Sequence, residues 1–150
     1  QNYFEAYAWY KKSAKQGMHE AEFNLGLMAH YGRGTNKDYV EAMNHYLKAS
    51  TNSIPEADLN IAFLHHYGLG TSIDLDKSFE YFTKAAKHNF PQAQYHLGLL
   101  YKNGQSVEKD LDQANYWFEK AALQNLDEAK LMTAALALRE PNDVDFYIVN

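Results

Sequence analysis

The chain repeats itself every 36 residues without a gap, and this internal repeat limits its possible folds more than any other feature. Two columns of the repeat are the clearest, one of alanines and one of adjacent ring pairs. They are Ala21, Ala57, Ala93 and Ala129, and Trp9-Tyr10, His45-Tyr46, Tyr81-Phe82 and Trp117-Phe118. A supersecondary unit of this length buries its apolar face by stacking on the next copy. The repeat therefore predicts a solenoid.

Each unit carries start and stop signals for two helices, which we call helix A and helix B. Before helix A, a Gly, Ser or Asn is followed three residues later by Glu or Gln, which is a capping-box pattern. These predicted caps are Gly17, Ser53, Asn89 and Asn125. Pro55 and Pro91 then lie in the first turn, where proline is tolerated. Glycines predict a left-handed helix-A end. They are Gly32, Gly68 and Gly104.

Helix B is predicted to start at a polar cap that ends the loop. The caps are Asn2, Asp38, Asp74 and Asp110. Apolar residues then follow at steps of three, four and one, which is the spacing of a single helix face. One such run is Ala114, Trp117, Phe118, Ala121 and Ala122. Small residues at Gly26, Ala62 and Gly98 predict a close approach of helix A to helix B, with the large rings around it.

Composition argues against several functions. The chain has 150 residues, a formal net charge of -5 and a pI near 5.8, which is the wrong sign for a phosphate-dominated interface. It has no cysteine, so we expect neither disulfides nor thiolate metal sites. No stretch approaches the roughly 18 to 20 apolar residues of a membrane span. We therefore expect no nucleic-acid partner and no membrane span.

Two stretches, LGLMAHYGRGTNKDYVEAMNHYLKAS and LGLLYKNGQSVEKDLDQANYWFEKAA, resemble the Sel1-like repeat, a longer-looped relative of the tetratricopeptide repeat. A Leu-Gly pair, a Gly-x-Gly loop, an Asp at the loop end and an Ala-x-x-Trp-Tyr stretch carry the resemblance. The tyrosine of the family's helix A is present at Tyr101 but replaced by Ala29 and His65, and the second loop glycine becomes Ser106. The resemblance implies an all-α fold, a right-handed α/α superhelix of helix pairs whose A helices line a concave face.

The repeat phase also predicts how the chain is organised. We expect a repeat array over residues 1–140, with helix B at 2–16, repeats at 17–52, 53–88 and 89–124, helix A at 125–140, and a tail at 141–150. Because the terminal units of a solenoid need capping, we expect one of two arrangements. The favoured one is a piece of a longer array with more repeats upstream. The other is a tail that caps the end through Phe146, Tyr147, Ile148 and Val149.

The family binds proteins or peptides on the concave face, and the tetratricopeptide analogy implies which helix-A positions line it. They are Phe23, Leu27, His30, Tyr31, Leu59, Phe63, His66, Tyr67, Tyr95, Leu99, Lys102 and Arg139. Aromatic rings on that face would anchor a peptide. The alternative for the columns of Phe23 and Leu27 is packing between neighbouring A helices. The columns of His30 and Tyr31 are expected to be more exposed.

The residues give no support for a metal, a cofactor or catalysis. His65 and His66 are adjacent, so they point about 100° apart on a helix, and His30 lies one repeat away, some 10 Å distant. The glycine loops lack the Gly-Lys-Ser/Thr ending of a phosphate-binding loop. No acid, base and nucleophile converge. We therefore expect no metal, no cofactor and no catalytic residues.

We predict a protein-protein interaction scaffold or adaptor that binds a protein or peptide on the concave helix-A face. We expect a bacterial protein, periplasmic or secreted rather than cytoplasmic. An alternative is a module that binds a glycan or small ligand, such as cell-wall material, with rings stacking on sugars. A hydrolase-like enzyme is the third class and has the least support.

Overall fold

The computed structural model describes residues 2–138, and every regular element in that range is an α helix. The helices are α1 (Tyr3–Lys15), α2 (His19–Tyr31), α3 (Tyr39–Thr51), α4 (Pro55–Tyr67), α5 (Leu75–Lys87), α6 (Pro91–Asn103), α7 (Leu111–Leu123) and α8 (Asp127–Ala137). Odd-numbered helices are helices B and even-numbered ones are helices A. The predicted all-α fold class, built from pairs of helices, is confirmed. In the described range, no helix is both long enough and apolar enough to pass through a bilayer.

The chain divides into two compact units, Gln1–His88 and Asn89–Asn150. The first contains α1 to α5, and the described part of the second contains α6 to α8.

The helices B begin at side-chain caps, as predicted. Asn2 Oδ1 accepts two backbone N–H groups from the first turn of α1, at 3.1 and 3.2 Å. Asp38 caps α3 through two backbone N–H groups as well, whereas Asp74 and Asp110 cap α5 and α7 through one each. Each cap satisfies N–H groups that have no partner inside the helix.

The predicted capping boxes at the helix-A starts are wrong. The residues that immediately precede these helices are apolar and make no side-chain cap; they are Met18, Ile54, Phe90 and Leu126. The predicted caps lie one position earlier and adopt positive φ, 84° at Gly17, 63° at Ser53, 69° at Asn89 and 65° at Asn125. At α1 the N–H groups of Gly17 and Met18 bond back to Ala14 and Ser13, a Schellman helix end. These residues therefore end helix B and do not start helix A.

A small residue in helix A meets a buried ring of helix B at the centre of the first and third helix pairs. A Cβ added to Gly26 would lie 2.5 Å from ring carbons of Tyr46, and one added to Gly98 would lie 2.6 Å from Phe118. Both rings are fully buried. The equivalent residues of the middle pair, also fully buried, are Ala62 and Phe82. Burying one such ring contributes roughly 1.5 to 3 kcal/mol. The predicted close approach of the two helices is confirmed.

The second glycine of the Gly-x-Gly loop packs against the start of the preceding helix B in the first unit. Gly34 has a φ of 72°, and an added Cβ would collide with the carbonyl oxygen of Tyr3. Gly70 has a φ of 70°, and an added Cβ would lie 2.7 Å from the carbonyl carbon of Tyr39. Ser106 takes the third position and keeps the positive φ, at 61°. In the first unit, this contact joins one repeat to the next.

Histidines of helix A lie beside the buried helix-B rings. His30 Nδ1 is 3.2 Å from the Tyr46 hydroxyl, and the rings of His66 and Phe82 are 5.9 Å apart between centroids. Burial lowers the pKa of His30 and of His66, and the charge of Lys37 lowers the pKa of His30 further. Burial also raises the pKa of Tyr46 far above its ordinary range, so its hydroxyl stays protonated. Both histidines are therefore favoured in the neutral form.

Gly34→Ala should destabilise the chain more than Gly17→Ala. Both glycines have positive φ, a conformation that costs an ordinary residue roughly 1 to 2 kcal/mol. Nothing lies within 4 Å of a Cβ added to Gly17. At Gly34 the added Cβ meets backbone, and overpacking costs about 1 to 3 kcal/mol more. Urea denaturation of the full chain, followed by helical circular dichroism, measures both losses. Equal losses would show that the loop is not packed as described.

The free energy of unfolding should fall as the pH is lowered from 7.5 to 5.5. The unfolded chain takes up protons on His30 and His66 near the ordinary histidine pKa of about 6.5, whereas the folded chain takes them up only at lower pH. The stabilisation that the two neutral histidines contribute is therefore fully present above that ordinary pKa, and it is lost as the pH falls through their lowered folded pKa values. Denaturation series at several pH values measure the decline, and His30→Gln should make it shallower. A decline that is identical in wild type and His30→Gln would contradict the assignment.

Candidate partner-binding surface

Two tyrosines at the ends of helices A are the most exposed of the predicted binding residues in the first unit. Tyr31 ends α2 and Tyr67 ends α4, and each side chain is 56% exposed. The ring of Tyr67 stacks on that of Phe63, with centroids 6.1 Å apart and an angle of 7° between the planes. The ring of Tyr31 lies 4.7 Å from that of His30. Each tyrosine is thus supported by its own helix and open to solvent.

The other predicted residues of the first unit are half-buried. They are Phe23, Leu27, His30, Leu59, Phe63 and His66. The ring centroid of Phe23 is 5.9 Å from that of Tyr46, and the ring centroid of Phe63 is 5.2 Å from that of Phe82. The rings of Phe23 and Phe63 therefore pack within their own helix pairs, and all six side chains present only part of their surface to solvent. The expected greater exposure of the His30 column is not observed, since His30 and His66 are half-buried as well.

The predicted residues of the second unit are less prominent. Tyr95, Leu99 and Lys102 are half-buried on α6, and the ring of Tyr95 lies 5.8 Å from that of buried Phe118. Arg139 lies outside the described residues. The tail residues suggested as an end cap, at positions 146–149, lie outside them as well.

An arginine between two tyrosines lies beside this surface, and the sequence analysis did not single it out. The guanidinium carbon of Arg33 is 4.9 Å from the ring centroid of Tyr31 and 5.6 Å from that of Tyr3. Further along the same loop, Lys37 Nζ lies 4.9 Å from the ring centroid of Tyr39. The sequence pattern predicts only the end of helix A in this loop. One feature of the sequence could have indicated this residue: Arg33 is a cation at a loop position where the later repeats have Leu69 and Gln105.

A polar network joins the first three helices through Tyr7, Glu22, Glu41 and His45. His45 Nδ1 is 2.7 Å from Glu22, its Nε2 is 3.6 Å from Glu41, and the Tyr7 hydroxyl donates to Glu41 at 3.3 Å. These bonds connect α1, α2 and α3 through His45, which stands in the helix-B column that holds Trp9, Tyr81 and Trp117 in the other copies. The smaller imidazole ring is thus accompanied by polar contacts between the helices.

The second unit holds a buried amide network. Gln94 on α6 is fully buried, and its Nε2 donates to Asn89 Oδ1 at 3.0 Å. Its Oε1 accepts from Gln124 Nε2 at 2.9 Å. Buried polar groups are tolerated when they are paired in this way. The network therefore ties the end of α7 to α6.

Within residues 2–138, no group of three or more His, Asp or Glu side chains is arranged to hold a metal ion. The arrangement is suited to contact through rings, amides and cations.

Comparison with known proteins identifies the repeat. The family model of the Sel1 repeat matches residues 1–18, 19–53, 55–90 and 91–126. None of the curated proteins matches the chain.

Solved structures give the same result. A Sel1 repeat protein from Oxalobacter formigenes is 34% identical with a TM-score of 0.80, over 93% of this chain and 40% of its own. A protective antigen present in uropathogenic Escherichia coli strains, which displays an SLR fold, is 33% identical with a TM-score of 0.79, over 81% of this chain and 26% of its own. A protein from Klebsiella pneumoniae is 18% identical with a TM-score of 0.57, over 90% of this chain and 68% of its own. At this identity the similarity shows only that the fold is shared.

The chain thus spans about two fifths and one quarter of the lengths of the first two proteins. The family model nevertheless covers most of its residues in four consecutive segments. The chain belongs to the Sel1 repeat family.

Proposed function

We propose that the chain is an interaction scaffold that binds a protein or peptide on the helix-A surface of its first unit. Sel1 repeat proteins generally act as protein-interaction scaffolds and are typically not enzymes. The proposal adds the location of the surface and the residues that contact the partner.

The observation that carries the proposal is the equal exposure of Tyr31 and Tyr67. They occupy the same position in consecutive repeats, each is 56% exposed, and neither belongs to the buried core. Packing therefore does not account for a tyrosine at both positions. Tyrosine concentrates binding energy at protein interfaces because its ring covers a large area with few rotatable bonds. The equivalent residue of the second unit is Asn103, so we confine the surface to the first unit.

The best variants for testing this surface remove exposed rings and leave the core intact. Phe63→Ala is unsuitable because its ring packs on buried Phe82, so that a loss of binding would be mixed with a loss of stability. Tyr31→Ala with Tyr67→Ala avoids this difficulty. Tyr116→Ala is a matched control, since Tyr116 is 48% exposed on α7 of the second unit.

The double variant Tyr31→Ala, Tyr67→Ala should weaken binding at least about tenfold. Truncation of an interface ring that a partner covers costs about 1 kcal/mol or more, and 1.4 kcal/mol corresponds to a tenfold change in Kd. A random peptide library is selected on the immobilised full chain, and the Kd of synthetic copies is measured by fluorescence anisotropy. Tyr116→Ala should bind them like wild type.

Two results would contradict the proposal. In one, selected peptides bind the double variant as tightly as wild type, which would show that the two tyrosines are not part of the binding site. In the other, no peptide is selected while peptidoglycan fragments bind and depend on the same tyrosines, which assigns the rings to a glycan ligand.

A further inference from the structure

We infer that Arg33, held between Tyr3 and Tyr31, receives a carboxylate of the bound segment, so that the partner is a peptide segment that carries both an acidic group and an apolar side chain. This inference rests on the proposed function, because Tyr31 belongs to both surfaces. It adds the chemistry of the partner.

The position of Arg33 is fixed by its neighbours. Its backbone N–H donates to the Met28 carbonyl at 2.9 Å, at the end of α2. Its guanidinium lies near the rings of Tyr3 and Tyr31, from two different helices, at 5.6 and 4.9 Å. A guanidinium near ring faces gains cation–π attraction and loses little freedom when it binds a ligand. Arg33 is therefore partly preorganised.

The charge of Arg33 has no acidic partner within the described range. The ion pairs there involve lysines and a histidine, and none includes Arg33. Arginine carries five N–H donors in a planar fork, which fits the two oxygens of a carboxylate. Arg33 is exposed, so a ligand can reach this fork.

Comparison between repeats shows that the fold does not require this arginine. The residue 36 positions later is Leu69, which packs partly buried against the core, and the next is Gln105. The helix-B residue equivalent to Tyr3 is still a tyrosine in the next copy, Tyr39, and becomes Leu75 in the copy after that. The set of two tyrosines and an arginine is therefore particular to the first repeat.

The surroundings of Arg33 favour an acidic ligand. Lys37, in the same loop, adds a second cation close enough to lower the pKa of His30. The carboxylate next to it in sequence, Asp38, is occupied with capping α3 through two backbone N–H groups. The loop thus carries two cations beside one carboxylate, in a chain whose net charge is -5, and that net charge opposes a nucleic-acid ligand.

The next repeat offers apolar surface in place of cations. Leu69 and Ile73 replace Arg33 and Lys37, and Ile73 is 65% exposed near the end of α4, where Tyr67 is also exposed. A segment that lies along the helix-A ends of the first unit would therefore place its acidic group at Arg33 and an apolar side chain on the second repeat.

The test is a double-mutant cycle between the full chain and a selected peptide. Peptides selected from the random library on wild type should be enriched in Asp or Glu. Replacing that acid by its amide should raise the Kd about tenfold for wild type and leave it nearly unchanged for Arg33→Leu and Arg33→Gln. Leu and Gln occur at the equivalent positions of the other repeats, so we expect both variants to fold. Lys87→Gln, which removes an exposed charge from α5, should behave like wild type.

The outcomes separate this inference from the proposed function. Arg33 does not bind the carboxylate if the amide peptide loses affinity equally for wild type and both Arg33 variants, or if no acid is enriched. In that case, dependence of binding on Tyr31 and Tyr67 would still support the scaffold function. Loss of that tyrosine dependence would overturn the proposed function itself. An amidated peptide terminus distinguishes a terminal carboxylate from a side-chain one. A single-stranded oligonucleotide is tested as a competitor. If it displaces the peptide and binds wild type more tightly than Arg33→Leu, Arg33 belongs to a phosphate site, and the inference is overturned.

Discussion

The contact between a small residue in helix A and a buried ring in helix B is the interaction on which each repeat depends. At Gly26 and Gly98 even one added carbon would overlap the facing ring of Tyr46 or Phe118, so these helices approach each other more closely than larger side chains would allow. Helices of 13 residues are marginal in water on their own. Tertiary burial of a ring therefore supplies the stability that helix propensity does not. The repeat of 36 residues also places a small residue and a buried ring at the equivalent positions of the middle pair, Ala62 and Phe82.

The same packing determines which side chains remain available at the surface. Because the ring from helix B fills the core of each helix pair, the tyrosines at the ends of α2 and α4 are not needed there, and they are more than half exposed. The loop after α2 then has a second consequence. Gly34 can approach the backbone of Tyr3 because it has no side chain, and this approach brings the start of α1 to the loop that carries Arg33. The proposed binding surface is thus a product of the contacts that join the repeats of the first unit.

Sequence reasoning succeeded where the signal is local or periodic. The Asp38 cap acts within three residues, and the 36-residue period identifies the helix pairs and their family. It failed where one pattern suits two structures: Asn89 followed by Gln three positions later fits a helix cap, yet its backbone forms the left-handed turn that ends α5. It also could not decide that Phe118 rather than Trp117 is the fully buried ring, because that depends on the direction from which helix A packs. Arg33 was missed because its site requires a ring some 30 positions away in sequence.

The most direct test of the central contact is the proton spectrum of the glycines. If Gly26 and Gly98 lie against aromatic rings, ring currents should separate their two α protons widely and move one far from its random-coil position, whereas Gly17, which has nothing within 4 Å of an added Cβ, should show no such effect. Nuclear magnetic resonance of the folded chain with assigned glycine signals measures this. Near-equivalent α protons at random-coil positions for Gly26 and Gly98 would contradict the close approach of the helices and the account built on it.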